Sequence, residues 1–191
     1  MKKRYILKIA NSSNTVFTFK DIMLLWQETN PANAKSRINY YVKQNLLYPI
    51  RRGVYAKSKN YNPYELAIKI ITPSYISLET VLAREGVIFQ NYDKIFLVSY
   101  KTTQTKIDGQ TFSFRKIKDQ VLMNPAGINV GDAFSIASKE RAFLDTIYLN
   151  NKYHFDNLSS IDWKKCFELA KIYENKNFEK RLNDYREQSN A

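Results

Sequence analysis

Leu47-Tyr48-Pro49-Ile50-Arg51-Arg52-Gly53-Val54-Tyr55-Ala56-Lys57 alternates apolar and polar residues on both sides of Arg51-Arg52-Gly53. A period of two places apolar side chains on one face of an extended strand, and glycine permits the positive φ that a tight hairpin turn demands. The stretch therefore predicts a β-hairpin with two arginines at its tip.

Immediately before it lies a marked helix. Asn30-Pro31 supplies a capping side chain followed by proline at the first helical position, where the missing N–H costs nothing. Ala34, Ile38, Tyr41 and Val42 then share one face, while Lys35, Ser36, Asn39 and Lys43 form the opposite stripe, with Tyr40 beside it. Asn suits bidentate pairing with adenine, Lys suits guanine or phosphate, and Ser suits either, which is the set a helix needs in a major groove. Upstream, Tyr5, Ile6 and Ile9 predict a first helix over Met1 to Ala10, and Val16-Phe17 reads as a short extended link. Thr18 and Asp21 form a capping-box pattern for a second helix that buries Ile22, Leu25 and Trp26 and runs to about Glu28. Three helices followed by a basic hairpin is the winged helix-turn-helix order, in which the third helix reads bases and the wing grips phosphate or the minor groove.

Charge points to the same segment. The formal net charge is +12, but residues 1–60 carry 12 Lys and Arg against only Asp21 and Glu28, whereas the remaining residues carry 18 basic and 16 acidic groups. An excess concentrated in one segment favours a polyanion partner. Met1 to Ala10 is too short and mixed for an interfacial membrane helix, so double-stranded DNA is the expected partner. The expected contacts are Lys35, Ser36, Asn39, Tyr40 and Lys43 on the third helix, Arg51 and Arg52 on the wing, and Lys57 just beyond it.

The polar run Lys57 to Asn62 reads as a linker, which gives a DNA-binding domain over 1–60 and a mixed α/β domain over 61–191. In the latter, Asn62-Pro63 starts a helix over Tyr64 to Ile71, Pro73 breaks it, Ser77 caps another over Leu78 to Glu85, and Gly86 closes that one. Ile95–Tyr100, Gln110–Lys118 and Ala133–Ala137 read as strands, with Asp108-Gly109 as a hairpin turn between the first two. Ser138 caps a helix over Lys139 to Leu149, and Asp162–Glu174 and Asn177–Gln188 read as two final helices. The expected fold class is α+β.

Several functions are disfavoured. Cys166 is the single cysteine, so no intramolecular disulfide forms, and the lack of a leader pattern makes a reducing cytoplasm the expected location. No apolar run approaches the roughly 20 residues of a spanning helix. His154 is the single histidine and lies in a polar stretch, and no zinc pattern, phosphate loop, nucleophile elbow or His-Glu-x-x-His is present, so neither cofactor nor metal is expected. Asp162-Trp163-Lys164 has the Asp-x-Lys shape of a metal-dependent nuclease but reads as a capped helix start. Arg141 and Asp145 are spaced for an i,i+4 ion pair.

Three segments together resemble the AbiEi family of antitoxins, the antitoxin halves of type IV toxin-antitoxin systems: Ile50-Arg51-Arg52-Gly53-Val54-Tyr55-Ala56, Pro73-Ser74-Tyr75-Ile76-Ser77-Leu78-Glu79 and Ser138-Lys139-Glu140-Arg141-Ala142-Phe143-Leu144-Asp145. The resemblance implies an N-terminal winged helix that represses its own operon and an α/β domain needed to counter a nucleotidyltransferase-like toxin. The expected function is therefore that of a non-enzymatic transcriptional autorepressor and antitoxin. The alternatives are a metal-dependent nuclease targeted by the winged helix and a plain winged-helix transcription factor.

Overall fold

Apolar periodicity and helix caps divide the chain into short elements. The structure, a computed structural model, describes residues 3–189. It is an α+β protein of two units, the first ending at Lys69 and the second beginning at Ile70.

In the first unit, the elements are α1 (Lys3–Ala10), β1 (Val16–Thr18), α2 (Phe19–Trp26), α3 (Pro31–Lys43), β2 (Tyr48–Arg51), β3 (Val54–Ala56) and α4 (Pro63–Ile70). Of the expected first helix, Met1 and Lys2 lie outside the described residues. Thr18 accepts from the Asp21 N–H at 3.1 Å while Asp21 accepts from the Thr18 N–H at 2.8 Å, the reciprocal capping box that starts α2. Asn30 caps α3 by accepting from the Ala32 and Asn33 N–H groups. The strands form an antiparallel sheet in the order β1-β3-β2, so the link at Val16-Phe17 becomes a strand paired with β3. Ile9, Phe17, Ile22, Trp26, Ile38, Tyr41 and Leu47 make the core, and the Trp26 indole donates to the Tyr5 carbonyl at 2.9 Å.

The first unit extends past residue 60 to Lys69, taking in most of α4, and the reason is chemical. Glu65 on α4 is buried and accepts from the Thr15 and Val16 N–H groups at 2.6 and 2.8 Å, fastening the start of β1. Lys69 on the same helix pairs with Asp21 at 2.5 Å. Neither tie is local in sequence, so the polar stretch before α4 reads as a linker although the helix beyond it belongs to the first unit.

The second unit contains β4 (Ser74–Ile76), α5 (Glu79–Arg84), β5 (Lys94–Ser99), β6 (Thr103–Ile107), β7 (Gln110–Lys116), α6 (Asp119–Leu122), β8 (Ile128–Val130), β9 (Ser135–Ala137), α7 (Lys139–Leu149), α8 (Trp163–Ala170), a 3-10 turn (Lys171–Tyr173) and α9 (Lys176–Ser189). Its six strands run in the order β6-β7-β5-β4-β9-β8. The β5–β7 and β4–β9 pairs are parallel and the others antiparallel. Three expectations change here. Asp108-Gly109 turns β6 into β7, not the first expected strand into the second, because β6 intervenes and β5 pairs with β7 in parallel. The helix expected over Asp162–Glu174 tightens into the 3-10 turn after Ala170. Ser77 caps nothing: the chain enters α5 through Leu78, at φ +56°, and the Ser77 hydroxyl points into the core.

That hydroxyl meets the polar centre of the unit. The expected Arg141–Asp145 pair forms, but both side chains are fully buried, with Nε to Oδ1 at 3.3 Å. Asp145 also accepts from the hydroxyls of Ser77 at 2.8 Å, Tyr75 at 3.0 Å and Tyr173 at 2.6 Å. Arg141 donates further to the Ala126 and Val121 carbonyls and to the Tyr75 hydroxyl. Burial works most strongly against the Arg141 cation, yet Asp145 together with Tyr173 and Tyr75 outweighs it and holds the guanidinium above its ordinary pKa. Gly127 is needed beside it: φ is +73°, and a Cβ there would stand 2.9 Å from the Arg141 Cβ.

Arg141→Met strands the Asp145 carboxylate without its counter-ion, and is expected to cost about 3–5 kcal/mol in urea unfolding. Glu79 offers a test of the opposite sign. It is buried, its Oε2 has no hydrogen-bond partner among the described residues, and desolvation raises its pKa, with its own backbone N–H and the Arg115 charge only partly opposing. A raised carboxyl pKa contributes stability that is full below the unfolded value and lost as pH rises through the folded one. Glu79→Gln is therefore expected to raise the urea midpoint at pH 7, with the gain shrinking toward pH 4; an unchanged midpoint at pH 7 contradicts this.

Candidate nucleic-acid interface

The helical period of 3.6 residues fixes which side chains of α3 leave the core. Ala34, Ile38 and Tyr41 are buried on one face. Lys35, Ser36, Asn39, Tyr40 and Lys43, all five residues predicted for this helix, are exposed on the other, and the Tyr40 ring packs edge-on against Tyr41 at 5.5 Å. The exposed face also includes Ala32 and Asn33 in the first turn, which the sequence reading does not single out. The signal was available: Ala32, Ser36, Asn39 and Lys43 follow one another at four-, three- and four-residue steps, a single line along the helix.

One cation of α3 is not on that face. Arg37 ion-pairs with Glu28 from the turn between α2 and α3, and its guanidinium lies 4.3 Å from the centroid of the Tyr5 ring. Glu28 in turn accepts from the Asn30 N–H at 3.1 Å, and that bond, followed by Arg37, holds its carboxyl below the ordinary value. Arg37 therefore ties α3 to α1 and to its own N-terminal turn.

The hairpin is tighter than its sequence suggests. Arg51 pairs with Val54, which leaves Arg52-Gly53 as a two-residue turn, with Gly53 at φ +77°. Arg51 and Arg52 are both exposed. The Gly53 carbonyl accepts from the Phe19 N–H at 2.8 Å, which anchors the turn to the start of α2. Because β3 pairs with β1, and β1 runs directly into α2, the two arginines stand beside the N-terminal end of α2 and its exposed Lys20. Exposed cations beside a helix N-terminus suit a phosphate.

Lys57 lies elsewhere. Its ammonium donates to the Ala10 carbonyl at 3.1 Å and also to the Ser12 carbonyl, where it closes the C-terminal end of α1. Asp21 is likewise committed: burial opposes its charge, but Lys69 and the Thr18 N–H more than compensate and hold its pKa below the ordinary value.

In the second unit the candidate catalytic residues disperse. Asp162 caps α8 by accepting from the Lys165 N–H at 3.1 Å, with Lys164 exposed on the helix, so the Asp-x-Lys spacing is that of a helix start. The His154 side chain is 90% exposed, with Asp156 3.9 Å away. Cys166 is buried, and desolvation pushes its thiol up to about 12. Among the described residues no group of three or more His, Cys, Asp or Glu side chains could hold a metal ion, and no helix is long and apolar enough to cross a membrane. No protein-family model matches the chain, and no curated protein matches it.

The arginine turn is held in place through β3 and β1, and β1 through Glu65. Glu65→Ala leaves two N–H groups without their acceptor and is expected to destabilise the first unit by about 2–3 kcal/mol in urea unfolding. Glu65→Gln, whose carbonyl can still accept, should recover part of the loss; equal losses would assign Glu65 a packing role alone.

Proposed function

We propose that the first unit is a winged helix that binds double-stranded DNA, and that the protein is the antitoxin and transcriptional autorepressor of a type IV toxin-antitoxin operon. The observation that carries the DNA-binding part is the exposed set of donors on α3 together with the Arg51-Arg52 turn at the start of α2. The element order α1-β1-α2-α3-β2-β3 and the sheet order β1-β3-β2 support the winged-helix reading, with α3 in the major groove and the turn on backbone or minor groove. The protein acts by binding and occluding its promoter, without catalysis.

The antitoxin part rests on the resemblance of three segments to AbiEi antitoxins. It gives the second unit the task of opposing a nucleotidyltransferase-like toxin. A nucleotidyltransferase-like gene beside this one, toxic alone and tolerated when both are expressed, is the expected result; toxicity that this protein leaves unchanged refutes the antitoxin role.

The DNA reading is tested on the chain's own upstream DNA. Reversing charge at both Arg51 and Arg52 should weaken binding to all DNA, whereas Asn39→Ala should weaken binding mainly to the operator. If roughly 4 to 6 phosphates are neutralised, log affinity should fall against log salt with a slope of about −4 to −5. A flat salt response, or metal-dependent cleavage of the DNA, overturns the proposal.

A further inference from the structure

Resting on the DNA-binding reading, we infer that α3 reads an A·T-rich operator core, with Asn39 on an adenine and Ala32 on a thymine methyl group. The most frequent specific contact in the major groove is a bidentate arginine on guanine. The single arginine of α3, Arg37, is withdrawn into the Glu28 ion pair and over the Tyr5 ring, so the exposed face presents no guanidinium fork.

What remains on the central line of that face is Ala32, Ser36, Asn39 and Lys43, flanked by Asn33, Lys35 and Tyr40. The Asn39 amide carries one donor and one acceptor in the fork that matches N6 and N7 of adenine. Ala32 is a bare methyl in the first turn, the end of a recognition helix that comes nearest the base edges, and a methyl side chain there packs against the C5 methyl of thymine. Seven residues separate Ala32 from Asn39, or roughly 10 Å at 1.5 Å per residue, so the two reach base pairs about three steps apart. Ser36 lies between them and accepts either kind of pair. Lys35 and Lys43 are flexible single charges without a fork, suited to phosphate.

The turn favours the same composition. Its two exposed arginines stand on a tight two-residue loop, narrow enough to approach a minor groove, and A·T-rich minor grooves are narrow and attract arginine through their negative potential.

The test uses the full-length protein and a randomised duplex library. The selected sites should share an A·T core, and two atomic changes in that core then identify the contacts. Replacing adenine by 7-deazaadenine removes N7 and should lower wild-type affinity about tenfold, while leaving Asn39→Ala, already weakened, unaffected by the same change. Replacing thymine by uracil removes only the methyl group and should lower wild-type affinity severalfold, but not that of Ala32→Gly. Melting temperatures of both variants check that they fold. A G·C core, or a 7-deaza effect that persists in Asn39→Ala, overturns the base assignment and leaves DNA binding intact. Failure to retain any duplex at low salt overturns the DNA-binding reading itself.

Discussion

A charge taken out of water has to be met by partners already in place, and this constraint organises both units. Arg141 and Asp145 satisfy it with each other, three hydroxyls and two backbone carbonyls. Those partners come from β4, the residue after it, α6, the loop before β8 and the 3-10 turn. The pair therefore fixes the relative placement of elements that are far apart in sequence, and Gly127 allows the close approach that the arginine requires. Such a pair adds little net stability over an apolar core, but losing one partner is severe. A fully satisfied buried network of this kind rigidifies the core around it.

In the first unit the same constraint acts at the surface and decides which charges are available. Residues 1–60 carry 12 basic groups, but the charge alone overstates what a polyanion meets. Arg37 is held by Glu28 and Tyr5, and Lys57 by the end of α1. Arg4, Lys20, Lys35, Lys43, Arg51, Arg52 and Lys59 remain exposed. By keeping Arg37 at a structural post, the fold turns a helix of mixed cations into one whose outer face is mainly asparagine, serine, alanine and lysine. On the proposed DNA-binding reading, binding strength comes from point charges and the arginine turn, and discrimination from short polar or methyl side chains.

Local physics made much of this legible in the sequence. The Thr18–Asp21 box, the Asn30-Pro31 start, the Ser138 cap and the stripe of α3 depend on residues within one or two turns, and the structure has each of them. Glycine at the hairpin turn was equally local. What was not legible has two causes. β6 is polar on both faces and lies at the sheet edge, so it lacks the alternation that announces a strand, and β4 and β8 are only three residues long. The others depend on partners far along the chain: Glu65 joins the first unit through residues 49 and 50 positions away, Ser77 turns to Asp145 instead of capping a helix, and Arg37 is distinguished from Lys35 only by Glu28 and Tyr5.

Two of the three resembling segments lie mostly in the interior of the second unit. Tyr75 and Ser77 from the second segment, and Arg141 and Asp145 from the third, are members of one buried network, and Ala142, Phe143 and Leu144 between them are core. Glu79, which ends the second segment, is also buried. These side chains cannot touch a partner without unfolding the unit. Similarity at these positions is therefore similarity of buried packing positions, not of a binding surface. Of the three segments, the first presents exposed charges, Arg51 and Arg52, whereas Lys139 of the third is half-buried and donates to the Ser160 carbonyl. Outside those segments, Phe89, Met123 and Val130 are the most exposed large apolar side chains of the second unit. The two halves of the proposed function thus stand on different ground: DNA binding on the exposed surface of the first unit, and the antitoxin role on the buried architecture of the second.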